Sequence, residues 1–239
     1  MRNAFHGIPL SHNTLSLISS MATREVLGEL AAQFQQASGH GVACESAGGV
    51  DVSKRIQAGE RFDVVVLAAN AIDQLIEYGK VLAGSRVDLV QSGIALAVRA
   101  GAPVPDVASE AAVKRAVLAA RTLSYSTGPS GVYLVKLFER WGVLEAIQPR
   151  IVQAPPGVPV GSLVARGEVE LGFQQLSELM HLPGIAVLGP LPPEIQSITT
   201  FSAGICASSN QGVAARALVA FMAAPAAAPV KHRHGMEPA

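Results

Sequence analysis

The sequence predicts an α/β fold of two lobes, with helices covering mainly parallel sheets and two long crossing segments as the hinge. Three observations carry that expectation. Apolar or β-branched runs alternate with helical stripes from residue 15 onward. Ala, Val, Leu and Gly dominate, while aromatics make up only 5% of the 239 residues, a balance that suits helices packed on a parallel sheet. Two strand-like runs, Val87 to Arg99 and Thr199 to Ala207, are longer than the usual strand and can cross from lobe to lobe. The division expected is residues 14–90 with 200–239 for one lobe, 91–199 for the other, and 1–13 as an N-terminal extension.

The elements follow in order. Leu15 to Ile18 reads as a strand, stopping at Ser19-Ser20-Met21, where a helix striped by Leu27, Leu30, Ala31 and Phe34 begins. Gly39 and Gly41 end it. Val42 to Glu45 is a second strand, and the turn Ser46-Ala47-Gly48-Gly49 opens a short helix with Val52 and Ile56 inward. Phe62 to Leu67 is β-branched and apolar, as in a strand buried on both faces. Asn70 is the expected cap of the helix striped by Ile72, Leu75 and Ile76. This βαβαβα order implies right-handed crossovers, with all three strand-to-helix turns at one sheet edge, where open α/β sheets hold ligands.

After the first crossing run, Ser109 to Leu118 is helical, with Val113 and Val117 inward. Leu123 to Gly131 then gives a strand end and a polar turn, followed by a helix striped by Leu134, Leu137, Phe138 and Trp141. Ser130 is the expected N-cap. The hydroxyls of Ser124, Ser126, Thr127 and Ser130 around a helix start either cap the helix or form a neutral cradle for an anion. Ile151 and Val152, Glu170 to Phe173, and Ile185 to Leu188 are further strands, and Ala154 to Pro159 is a stiff proline-dense turn. Asn210 is the expected cap of a last helix through Ala214, Leu218, Phe221 and Met222. Beyond Pro225 the Ala- and Pro-rich, then basic, chain is expected to be a solvated or loosely docked tail.

Composition excludes several classes. Eighteen basic residues balance eighteen acidic ones, so no polyphosphate-binding surface and no nucleic-acid partner is expected. No run approaches the roughly 20 apolar residues of a membrane span. No G-x-G-x-x-G or G-x-x-x-x-G-K-[ST] fingerprint is present. His232 and His234 lack further ligands at metal-site spacing, so neither metal nor cofactor is expected. Cys44 and Cys206 sit in strand-like runs and read as buried free thiols, with a disulfide between them as the alternative. Residues 1–10 lack an apolar signal core, which points to a cytoplasmic protein, or to a periplasmic one if a signal has been removed.

The succession of turns resembles the type II periplasmic solute-binding proteins, most nearly the molybdate-binding branch. The matching pieces are Ile18 to Met21, Ser46 to Gly49, Phe62 to Ala68, Ser124 to Gly131, and Gly172 to Glu178. The resemblance implies two lobes closing on a cleft that holds an oxyanion with hydroxyls and backbone N–H groups. It implies contacts from Ser19, Ser20, Gly48, Gly49, Ala69, Ser126, Thr127 and Gln174; Ser92, inside the first crossing run, and Ser130 complete the candidate ligand set. An ABC permease is a partner only for an exported protein. Two departures turn away from molybdate: Ala47 stands where such binders offer serine, and Gln174-Gln175 where they show tyrosine. The Gln-Gln-Leu-Ser-Glu turn is similar to that of the aconitate isomerase group, built on the same scaffold. Two functions are therefore expected: capture of a small oxyanion or polycarboxylate, or cofactor-free isomerisation of an unsaturated polycarboxylate. The second needs a proton-transfer group, for which Glu178, His181, Glu45 and Tyr125 are candidates, with Tyr133 as a rival.

Overall fold

A computed structural model describes residues 14–155 and 157–239; the expected N-terminal extension and Pro156 of the proline-dense turn lie outside the described residues. The chain begins with β1 (Thr14–Ser20), a 3-10 turn (Met21–Thr23), α1 (Arg24–Ser38), β2 (Gly41–Ala47), α2 (Gly49–Gln57), β3 (Val64–Ala68) and α3 (Ala69–Glu77). It then crosses on β4 (Val87–Arg99). The second half contains α4 (Glu110–Ala119), β5 (Leu123–Tyr125), α5 (Pro129–Arg140), α6 (Leu144–Ile147), α7 (Val160–Arg166), β6 (Leu171–Gln175), α8 (Leu176–Leu179) and β7 (Ile185–Pro190). The return is β8 (Ile198–Ile205), followed by α9 (Gly212–Ala223), α10 (Ala228–Arg233) and β9 (Glu237–Pro238).

The strand order is β2-β1-β3-β8-β4-β6-β5, with β7 and β9 also pairing β4. The pairing is mixed rather than mainly parallel. β1 runs parallel to β2 and β3, and β5 parallel to β6, but every pair made by β4 or β8 is antiparallel. The reason is topological: the outgoing and returning crossing strands run against each other and against the strands they join.

Alternation along each strand sends successive residues to opposite faces. In the first lobe Leu15, Leu17, Val64 and Val66 pack beneath α1, α9 and α10, while Ile18, Val65 and Leu67 pack with Val52, Ile56, Ile72 and Leu75 on the other face. That is why β3 is buried throughout. In the second lobe Ile94, Leu96 and Val98 meet α4 and α5, and Ala95 and Ala97 meet Leu179. Gly172 lets α7 approach the sheet, since a Cβ there would lie 2.6 Å from Val164 Cγ2.

Several local expectations are corrected. α3 starts at Ala69 with Ala68 at the cap, so Asn70 is an exposed first-turn residue. α9 has Gln211, not Asn210, at its cap; Ser209 Oγ accepts the Gln211 N–H. Ile151 makes one isolated bridge to Leu123 instead of a strand. Cys44 is exposed, because β2 is the sheet's edge strand; Cys206 is buried, its thiol pushed up to about 12 by burial and then by the Asp63 charge. The C-terminal tail is firmly docked. β9 pairs Val90 and Gln91, Val230 and Met236 are buried, and Lys231 Nζ donates to Leu89 O at 2.9 Å. The Ala- and Pro-rich composition hides this docking, because large apolar anchors such as Val230 and Met236 are sparse in it.

Candidate functional site

The parallel strands of the first lobe end together. Their register aligns Ser19 with Ser46 and Val66, and Ser20 with Ala47. The Ser19 and Ser46 hydroxyls lie 2.9 Å apart, and Ser19 Oγ also donates to Ser20 O at 3.2 Å. Ser20 Oγ is buried without a protein partner. Gly49 opens α2 beside it; a Cβ there would sit 3.7 Å from Ser20 Cβ. Neither Gly48, the cap of α2, nor Ala68, the cap of α3, offers a side chain to the first-turn N–H groups, so those of Gly49, Ala69 and their neighbours remain available. The strand-to-helix turns thus put unpaired donors and an orphaned hydroxyl along one edge.

In the second lobe β5 and β6 end in register, Tyr125 opposite Phe173, so the Ser126 turn and Gln174 share an edge. The cap of α5 is Gly128 with Pro129 at the first position, so Ser130 is not the N-cap; proline already fixes that turn's entry. Ser130 is buried, and its hydroxyl lies 2.9 Å from that of Ser126. Gly131 is obligatory there, because a Cβ would fall 1.6 Å from Ser126 O. Ser124 Oγ is buried with no partner, and Thr127 is exposed.

Gln174 is 3% exposed; its Oε1 accepts the Gly161 N–H at 3.2 Å and its Nε2 donates to Glu178 Oε1 at 2.8 Å. Glu178 lies in α8, three residues after the cap Gln175, whose backbone N–H it accepts in the manner of a capping box. Burial pushes its carboxyl up to about 7, outweighing the lowering by Gln174 and the Gln175 N–H. α8 packs against the Met21–Thr23 turn, which brings Glu178's helix to the end of β1. Ser92 is buried at the crossing, its Oγ 3.5 Å from Ser177 Oγ.

Of the other acid–base candidates, Glu45, His181 and Tyr133 are engaged elsewhere. Glu45 pairs with Arg55 at 2.5 Å on the outer edge. His181 is exposed and shares a 3.1 Å bond with His234, which in turn meets Glu29 at 2.9 Å. Tyr133 donates to Ile195 O at 2.9 Å. Tyr125 packs against Phe138 with its phenol raised by burial. Among the described residues no group of three or more His, Cys, Asp or Glu is placed to hold a metal ion. Sequence reasoning misses Gln175, although the doubled glutamine marks the turn; nothing in composition says which of the two faces the crossing strands.

A family profile described as bacterial extracellular solute-binding protein matches residues 15–237. The chain is 38% identical over 231 residues to an aconitate isomerase from Pseudomonas sp., covering 94% of this chain and 88% of the relative. It is 26% identical over 214 residues to the molybdate-binding protein ModA of Azotobacter vinelandii, covering 87% of this chain and 83% of the relative. The solved periplasmic molybdate-binding protein of Azotobacter vinelandii superimposes with a TM-score of 0.78 at 23% identity, over 93% of this chain and 98% of that one.

Proposed function

This chain belongs to the bacterial extracellular solute-binding protein family, and from that membership we propose that it captures a small polycarboxylate between its lobes and isomerises it, as an aconitate isomerase does. The observation that carries the reading is Glu178: a carboxyl with a proton affinity suited to pH 7, beside neutral Gln174, in a helix packed on the serine turn of the opposite lobe. Uncapped helix starts and orphaned hydroxyls supply donors for carboxylate groups without a lysine or arginine.

The chemistry needs no cofactor. Ionised Glu178 takes a proton from the methylene carbon of cis-aconitate. The C–H electron pair spreads over the allylic carbons and the adjoining carboxylate, whose charge the N–H groups of α2, α3 and α5 stabilise. Glu178 returns the proton to the former vinylic carbon, and the double bond moves by one position. The carbon skeleton is symmetric in constitution, so the product is aconitate again, with the geometry set by how the carboxylates are held. An NMR time course with cis-aconitate tests this: trans-aconitate is expected to accumulate, and its absence at high protein concentration would remove the isomerase.

A second reading, capture without chemistry, is favoured by the paired Ser19 and Ser46 hydroxyls and the likeness to a molybdate-binding protein. An ABC permease would then be the partner. Calorimetry with molybdate, sulfate, citrate and cis-aconitate separates the two, since tight molybdate binding with no turnover supports the receptor.

A further inference from the structure

Gln175 is 3% exposed and sits where β4 changes partners. β4 pairs β8 as far as Gly93 opposite Ile198, and pairs β6 from Ile94 opposite Gln175. The Gln175 amide lies 3.0 Å from Ser92 O, 3.2 Å from Gly93 O, 3.2 Å from Ser92 Oγ and 2.9 Å from Thr199 Oγ1. Two carbonyls can only accept, so the amide nitrogen faces Ser92 and Gly93, and the amide oxygen accepts from the Thr199 hydroxyl. β4 and β8 are the strands that carry the chain between the lobes, and this one side chain, rooted in the second lobe, ties both at the crossing point. Beyond it, Gln196 fixes β4 within the second lobe by accepting Ile94 N–H at 2.9 Å and donating to Ile94 O at 3.0 Å. Rotation between the lobes therefore falls on the segment that Gln175 holds. The backbone N–H of the same residue donates to the Glu178 carboxylate.

We propose that Gln175 is the positioning residue that sets the angle between the lobes and transmits that setting to the Glu178 carboxylate. Ser92 and Thr199 are paired across β4 and β8, so closing or opening the lobes changes where Gln175, at the end of β6, lies relative to that pair. The arrangement that satisfies all of the buried amide's partners is the favoured one, because a buried amide left unpaired is costly. The hinge part rests on the two-lobed fold, not on the isomerase reading.

The test uses the full chain with Gln175→Leu, Gln175→Glu and Thr199→Val, read by small-angle scattering without ligand and by citrate calorimetry. Gln175→Leu is expected to enlarge the radius of gyration and weaken citrate binding by about ten-fold, with the circular dichroism of the wild type. Gln175→Glu distinguishes positioning from packing. Its protonated carboxyl can donate to a carbonyl and accept from Thr199, whereas its ionised form presents only acceptors to Ser92 O and Gly93 O. It is therefore expected to match wild type at pH 4.5 and Gln175→Leu at pH 8. The titratable group bonded to Gln175 is Glu178, so the comparison is repeated with Glu178→Gln present, and the pH response is expected to persist. Wild-type scattering in Gln175→Leu and Thr199→Val, or a Gln175→Glu profile flat with pH, would overturn the proposal. Should Gln175→Leu fail to fold, scattering from Thr199→Val and the pH profile of Gln175→Glu decide between the same two outcomes. If citrate does not bind even wild type, the polycarboxylate reading fails while the scattering still decides the hinge.

Discussion

At Glu178, the base of the proposed isomerisation, burial ties proton affinity to stability. Its folded value, about 7, lies above the ordinary 4.5. The folded state thus holds the proton more tightly than the unfolded chain, so this group favours folding most below pH 4.5, and that contribution is lost as pH rises towards 7 and beyond. The ionised form costs on the order of 1–3 kcal/mol. Glu178→Gln keeps the shape and an acceptor for the Gln175 N–H, so it is expected to raise the melting temperature at pH 8 but not at pH 4. The same variant should lower isomerisation by roughly 10²–10⁴-fold while still binding citrate. For the wild type, kcat/KM should climb with pH through about 7 as the base ionises. In sequence, Glu178, Glu45 and His181 are equal candidates, because side-chain burial and partners separate them and neither is written in a local pattern. The Arg55 pair on Glu45 and the His234 bond on His181 come from residues 10 and 53 positions away.

Among the elements, the turn before α5 and the C-terminal tail give the sharpest expectations. Gly131→Ala places a methyl group where Ser126 O already lies, so the turn must open; a loss of about 1–3 kcal/mol or more and weakened anion binding should appear in denaturation and calorimetry. Truncation after Ala224 removes Val230 and Met236 from the first lobe's core and strips β9 from β4. At about 1.5–3 kcal/mol per buried side chain, it should lower the melting temperature markedly, whereas a loosely docked tail would leave it unchanged. Strands and helices with strong periodicity, such as β3 and α1, are legible from sequence. Caps are less so. Ser130, Asn70 and Asn210 are good capping types, yet Gly128, Ala68 and Gln211 hold those places: Pro129 opens α5, α3 follows β3 without a break, and Ser209 Oγ holds the Gln211 N–H at the start of α9. The mixed pairing is also hidden: βαβ units announce parallel neighbours, but nothing local announces that the two crossing strands run against each other.

For the whole molecule, we propose that the lobes divide where β4 changes partner at Gly93–Ile94 and where β8 begins after Gln196, a division the Gln175 variants test. Such a hinge lets two edges approach: the β1–β3 ends with Ser20 and Gly49, and the β5–β6 ends with Ser126 and Gln174. Binding that relies on neutral donors has little long-range steering, so citrate affinity should change weakly between low and moderate salt; a steep dependence would indicate cations at the site. The most direct measurement is a crystal structure with cis-aconitate or citrate bound. Carboxylates are predicted to rest on the turns of both lobes, with Glu178 facing the methylene carbon; a ligand held elsewhere, or touching only one lobe, would contradict the account.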